Sequence, residues 1–132
     1  MIVIDASALA AIVLKEEGWE RLLNLSDLFL TLTLALVEVA NAIWKAYQVG
    51  RLSIEEAREA YHILHDLAQI NLLLEDPTPY LPQALNYALT SGVSVYDALY
   101  IELASTKALP LLTLDQKQKK AARKRGIRTL PK

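Results

Sequence analysis

The sequence predicts an α/β fold in which helices cover both faces of a parallel sheet, and two observations carry that prediction. Short runs rich in Ile, Val and Leu alternate with longer segments of helical period almost from end to end, as in a sheet built from strand–helix–strand crossovers. The first run, Met1-Ile2-Val3-Ile4, has no polar alternation, so it reads as a strand covered on both sides. It stops on Asp5 and turns straight into helix-forming residues. A carboxylate therefore stands at a strand's C-terminal end, the edge where open α/β sheets bind ligands.

Taken in order, Ala6 to Leu14 make a short apolar helix that Lys15-Glu16-Glu17-Gly18 breaks, and Trp19 to Leu25 a second one. Leu28 to Thr33 supply the next strand. A long helix then runs from Leu34 to Val49, closed by Gly50 just past its end. Its polar residues Glu38, Asn41, Lys45 and Gln48 share one face, with Leu36, Val39, Ala40, Ile43 and Tyr47 opposite. Ser53 and Glu56 have capping-box spacing and open a helix reaching about Gln69, with Ile54, Ala57, Tyr61, Leu64 and Ala68 as its inward stripe. His62 and His65 fall off that stripe and lack a third ligand for a metal, so they read as solvent-facing.

A third strand spans Ile70 to Leu74, a turn follows over Glu75 to Pro79, and a helix runs from Tyr80 to Thr90. Ser94 starts the helix Val95 to Lys107, with Asp97 in its first turn. Leu109 to Leu114 form a fourth strand that ends on Asp115. The helix Gln116 to Arg125 and a last strand, Ile127 to Leu130, complete the chain.

At 132 residues this is the length of one domain, 1–132, which removes roughly two thirds of its unfolded surface from water. A hydrophobic content of 53% and a mean hydropathy of +0.21 exceed what a monomer of this size needs, which points to a homodimer. No run has the length of a membrane span, and the opening lacks the basic flank of a signal peptide, so a cytoplasmic protein without a membrane partner is expected. The absence of cysteine excludes disulfides, thiol nucleophiles and thiolate zinc sites. The net charge of −1 hides an asymmetry: residues 113–132 hold eight of the 14 basic residues and Asp115 as their sole acid. Such a run suits a phosphate backbone, and equally a solvated helix whose Arg123, Lys124 and Arg125 complement the dipole before Gly126.

Asp5, Glu38, Asp97 and Asp115 each have a plain structural reading. Asp5 and Asp115 fit helix caps, Asp97 a capping box with Ser94, and Glu38 a wet helix face. Topology weighs the other way, because strand C-termini and the following helix N-termini share one sheet edge and bring all four together. Carboxylates so gathered repel unless a cation joins them, and hard oxygen ligands select Mg²⁺ or Mn²⁺.

At these residues the chain resembles a known family. Val3-Ile4-Asp5-Ala6-Ser7, Glu38 with Asn41, Tyr96-Asp97-Ala98-Leu99-Tyr100 with Leu103-Ala104, and Leu112-Thr113-Leu114-Asp115 look like the PIN domain. More closely, they are similar to the VapC-type ribonuclease toxins of toxin–antitoxin pairs. The resemblance implies a three-layer α/β/α sandwich around a short, mostly parallel sheet, Mg²⁺- or Mn²⁺-dependent endoribonuclease activity, a homodimer, and a separately encoded antitoxin. Carried over by position, Asp5, Glu38, Asp97 and Asp115 are the catalytic and metal-binding acids, Ser7 and Thr113 orient them, and Asn41 is a polar neighbour. Many relatives add an acid shortly after the fourth. Here Gln116 to Lys120 offer only amides and amines, which leaves one-metal and two-metal sites open.

The function expected is hydrolysis of RNA phosphodiesters by metal-activated water, with Lys117, Lys119, Lys120 and Arg123 touching backbone phosphates. The rival from another class, a nucleic-acid-binding or scaffold module that cleaves nothing, fits less well, since a polyanion binder gains nothing from a concentrated negative cleft. A phosphatase would need a general acid two residues after its aspartyl nucleophile, where this chain has Ser7.

Overall fold

A computed structural model describes residues 1–132 and gives a five-stranded sheet in the order β3-β2-β1-β4-β5, every neighbouring pair parallel. The strands are β1 (Ile2–Ile4), β2 (Phe29–Leu32), β3 (Leu72–Glu75), β4 (Leu111–Leu112) and β5 (Thr129–Leu130). The helices are α1 (Ala6–Val13), α2 (Trp19–Leu23), α3 (Thr33–Gln48), α4 (Ile54–Ile70), α5 (Leu81–Ser91), α6 (Val95–Lys107) and α7 (Gln116–Lys124), with a 3-10 turn at Thr78–Tyr80 before α5. One helical group is formed by α1, α3 and α4, and another by α6 with α5 and α7. The result is the α/β/α sandwich around a parallel sheet that the sequence predicts.

β1 is wholly buried and central. The chain adds β2 and β3 on one side of it, then crosses over to add β4 and β5 on the other. Strand order therefore reverses between β1 and β4, where Val3 and Ile4 pair with Leu111 and Leu112. At such a switch point the connections leave in opposite directions and open a crevice at the strands' C-terminal ends. Asp5 and the segment from Thr113 to Asp115 lie immediately past those ends.

The helix α6 explains why Asp97 comes to the same place. Every residue from Ala98 to Ala104 is buried, including Glu102, so this helix is enclosed on all sides and packs on β1, β2 and β4. Glu102 is tolerated because Arg125 reaches it at 2.6 Å. A buried carboxylate without that partner would be strongly destabilising.

Several boundaries and faces differ from the sequence reading. α4 runs on to Ile70, so β3 starts at Leu72, and β4 is reduced to Leu111–Leu112. Past Leu112 the backbone turns into side-chain bonds: Leu114 N–H donates to Ser7 Oγ at 2.9 Å and Asp115 N–H to Thr113 Oγ1 at 3.1 Å. Tyr47, Ile54 and Tyr61 are exposed rather than inward. The buried line of α4 centres on Ala60 and Leu64, where a small side chain lets the helix approach its neighbours closely. Val37 and Trp44 on α3, with Leu81, Leu85 and Leu89 on α5, also face outward, and these hold much of the apolar surplus.

Candidate active site

Asp5 is the N-cap of α1 and is only 3% exposed. Its Oδ1 accepts from Ala8 N–H at 3.0 Å and from the Ser7 hydroxyl at 2.7 Å, and its Oδ2 accepts from the Thr113 hydroxyl at 2.5 Å. Burial nevertheless pushes its carboxyl up to about 6; the three hydrogen bonds oppose that rise and the charge of Asp115 adds to it. Asp115 caps α7, its Oδ1 accepting from Gln118 N–H at 3.0 Å. Asp5 and Asp115 are thus caps in fact. With Ala6, Ser7, Ala10, Ala42 and Tyr100, they also line a cleft of about 240 Å³ that receives Glu38 and Asp97.

Asp97 is not a cap. Ser94 caps α6 by accepting from Asp97 N–H at 3.1 Å, and no return bond runs from the Asp97 carboxylate. Burial is the main cause raising that carboxyl to about 6, followed by the charges of Asp115 and Asp5, while Lys117 lowers it. Glu38 projects from the middle of α3 and accepts from the Tyr100 hydroxyl at 2.7 Å. Burial raises it too, and the charge of Asp97 raises it further. Asp5, Glu38 and Asp97 therefore each feel the charge of another acid of the cleft. Asn41, one turn along α3, is exposed and does not line the cleft. His62 and His65 are exposed on α4, away from it.

The donor set suits a hard divalent cation, being carboxylate oxygen throughout. A carboxylate has about four lone-pair positions. Asp5 uses three and offers one in a fixed direction, whereas those of Asp97 are all free. The acids do not form a closed cage as they stand, since no three of them gather tightly enough to grip an ion.

The model of the PIN domain family matches residues 2–124. This chain belongs to the PIN-domain family, as a member of the VapC type. Among its relatives, Ribonuclease VapC3 of Pyrobaculum aerophilum is 38% identical over 87% of this chain and 89% of its own. Exonuclease VapC9 of the same organism is 32% identical over 86% and 79%. The crystal structure of PAE2754, also from Pyrobaculum aerophilum, superposes with a TM-score of 0.70 at 26% identity, covering 97% of this chain and 89% of that one.

Two residues of this PIN domain, bonded to the segments that carry the four acids, were given no role in the sequence reading. Tyr100 lies one turn after Asp97 on the same face of α6, a spacing that was legible. Gln118 is 1% exposed; its Oε1 lies 3.0 Å from Thr113 Oγ1, and its Nε2 donates to the Asp97 carbonyl at 3.1 Å. Its signal was an uncharged side chain leading the Ala121-Ala122 stripe of an otherwise basic helix. The four basic residues expected on phosphates divide. Lys119 is 8% exposed and donates to the Pro131 carbonyl at 2.9 Å, and Arg123 Nε donates to Thr129 Oγ1 at 2.8 Å. Both hold the C-terminal segment, while Lys117 and Lys120 are exposed.

Proposed function

We propose that this PIN domain is a metal-dependent endoribonuclease, the toxin of a toxin–antitoxin pair. The observation that carries the reading is the convergence of Asp5, Glu38, Asp97 and Asp115 on one cleft, with the Asp97 carboxylate unbonded. The relative at 38% identity is named a ribonuclease, which supports RNA as substrate.

Asp97 and Asp5 would hold the cation directly, with Asp115 and Glu38 completing its surroundings. Mg²⁺ or Mn²⁺ would supply activation of water and stabilisation of charge on the phosphoryl oxygens. Ser7 and Thr113 fix the orientation of Asp5 through their hydroxyls. Tyr100 occupies Oε1 of Glu38 and leaves Oε2 to take a proton from the attacking water, a task that its raised proton affinity suits. Lys117 and Lys120 attract the substrate backbone. The outward apolar stripes on α3 and α5 support a second copy and an antitoxin as partners, in the cytoplasm.

The test is incubation with single-stranded RNA and Mn²⁺ or EDTA. Water attack leaves 5′-phosphate and 3′-hydroxyl ends, and cutting stops with EDTA. Ends carrying 2′,3′-cyclic phosphate overturn the mechanism. Because the relative at 32% identity is named an exonuclease, a circular RNA is included: it is opened by an internal cut and resists trimming from an end.

A further inference from the structure

α7 carries more cations than the cleft uses, and three of them share a second feature of the surface. Lys117, Lys120 and Lys124 follow one another at helical spacing along the side of α7 that faces the end of α5. With Thr90, Ser91 and Val93 they line a groove of about 490 Å³. A polar cleft of about 660 Å³ adjoins it and shares Tyr87, Thr90 and Arg125 as a common wall. The groove begins beside the acids, since Lys117 is two residues past Asp115 and its charge is felt by Asp97.

None of the three lysines pairs with a carboxylate, as the ion pairs Arg51–Glu16, Lys107–Glu75 and Arg125–Glu102 lie elsewhere. Like charges at this spacing repel, so an anion bound along the row is favoured. Arg125 differs: it is bound to Glu102 and lies 4.7 Å from the Tyr87 ring centre, which makes it a fixed part of the wall. One alternative use for the lysines is to offset the dipole at the end of α5. That end is already closed by Gly92, whose N–H reaches the Ala88 carbonyl, and by the Thr90 hydroxyl on the carbonyls of Asn86 and Tyr87.

Resting on the ribonuclease reading above, we propose that the groove between α5 and α7 binds the phosphates of the single-stranded RNA flanking the scissile bond. Lys117, Lys120 and Lys124 are the contacts. From Lys117 to Lys124 the helix rises about 10 Å, the length of roughly three stacked nucleotides. A single row of cations matches the one backbone of a single strand, where a duplex presents two. The groove therefore directs the strand on one side of the cut, away from Lys119 and Arg123.

The experiment compares wild type with a Lys120→Gln/Lys124→Gln variant and, as control, Lys45→Gln on exposed α3. A short fluorescein-labelled oligouridylate is titrated by anisotropy over a series of KCl concentrations, and Mn²⁺-dependent hydrolysis of the dinucleotide UpU is measured alongside. The double variant is expected to bind more weakly, with the slope of log affinity against log salt flattened by about 1.4, or about 0.7 per lost phosphate contact. The control's slope stays as in wild type, and Mn²⁺-dependent UpU hydrolysis by the double variant, whatever its rate, shows that its cleft is folded. An unchanged slope in a double variant that still cleaves UpU overturns the groove and leaves the ribonuclease reading standing. A lowered melting temperature with unchanged slope likewise overturns it, assigning the lysines to the end of α5. Equal affinity for a duplex of the same length, with equal loss in the variant, overturns the single-strand assignment. Failure of wild type to cleave UpU or longer RNA removes the ribonuclease reading itself, whatever the slopes show.

Discussion

The hydroxyl of Thr113 lies 2.5 Å from Oδ2 of Asp5, joining the corner after β4 to the end of β1 across the switch point of the sheet. The same oxygen accepts from Asp115 N–H, so one side chain fixes Asp5 and the start of α7 together.

Replacing Thr113 by Val keeps the shape and removes that donor. Asp5 is buried with nothing else to bond Oδ2, so its carboxyl should rise beyond about 6. A hydrogen bond to a charged group contributes about 1.5–3 kcal/mol. The loss should appear as Mn²⁺ affinity weakened about 10- to 100-fold by calorimetry. Unaltered affinity would show that Thr113 serves packing alone.

Lowering the pH should stabilise the metal-free protein. Asp5 titrates near 6 when folded against 3.8 when free, so between those values the folded state binds the extra proton. Stability from this group is complete below 3.8 and is lost as pH rises through 6. For buried Asp5 the loss by neutral pH is about 3 kcal/mol. Asp97 acts in the same direction and is half exposed, so solvent screening weakens its share. The melting temperature without metal should therefore rise from pH 7 to pH 5, and saturating Mn²⁺ should remove the rise. A fall over that range would mean that the acids do not share a cleft.

Asp97→Asn and Ser94→Ala separate site from cap on one helix turn. Ser94 supplies the cap and the Asp97 carboxylate is unbonded, so Asp97→Asn should melt no lower than wild type without metal. Its Mn²⁺ shift, worth about 2.7 kcal/mol at a hundredfold excess over Kd, should vanish with the nuclease activity. Ser94→Ala should lose about 1 kcal/mol and keep both. The reverse pattern in thermal melts would place Asp97 outside the site.

Asp5, Asp97 and Asp115 were legible because their positions follow from topology: strand ends and helix starts share an edge, whatever the packing in between, and Glu38 reaches that edge from farther along α3. The directions of the basic residues were not. α7 is short and charged on most sides, and only contact with Pro131 and Thr129 turns Lys119 and Arg123 toward the C-terminal segment. Lys124 and Arg125 stand at the C-terminal end of α7, where the sequence offers them as dipole complements, and they also line the α5 groove. Period alone likewise gave α4 a stripe but misplaced its centre, since Ala60 is buried for its smallness while Tyr61 beside it faces water.

Gln118 gives a last expectation, which needs neither substrate nor metal. Its amide, buried beside Thr113, donates to the Asp97 carbonyl, and only a group that carries a proton can do so. Gln118→Glu keeps the size but sets two lone-pair-bearing oxygens face to face at the Asp97 carbonyl unless the acid is protonated. Its pKa should rise, which makes the variant nearly as stable as wild type at pH 5. Stability is then lost as pH climbs through that raised value, by about 1–3 kcal/mol at pH 8. Gln118→Met loses the bond to the Asp97 carbonyl without adding a charge, so it should be weakened by a similar amount with the pH dependence of the wild type. Melts of the three proteins from pH 5 to pH 8 decide the matter. Parallel curves for Glu and Met at position 118 would show that the amide fills space and does not tie α6 to the β4–α7 corner.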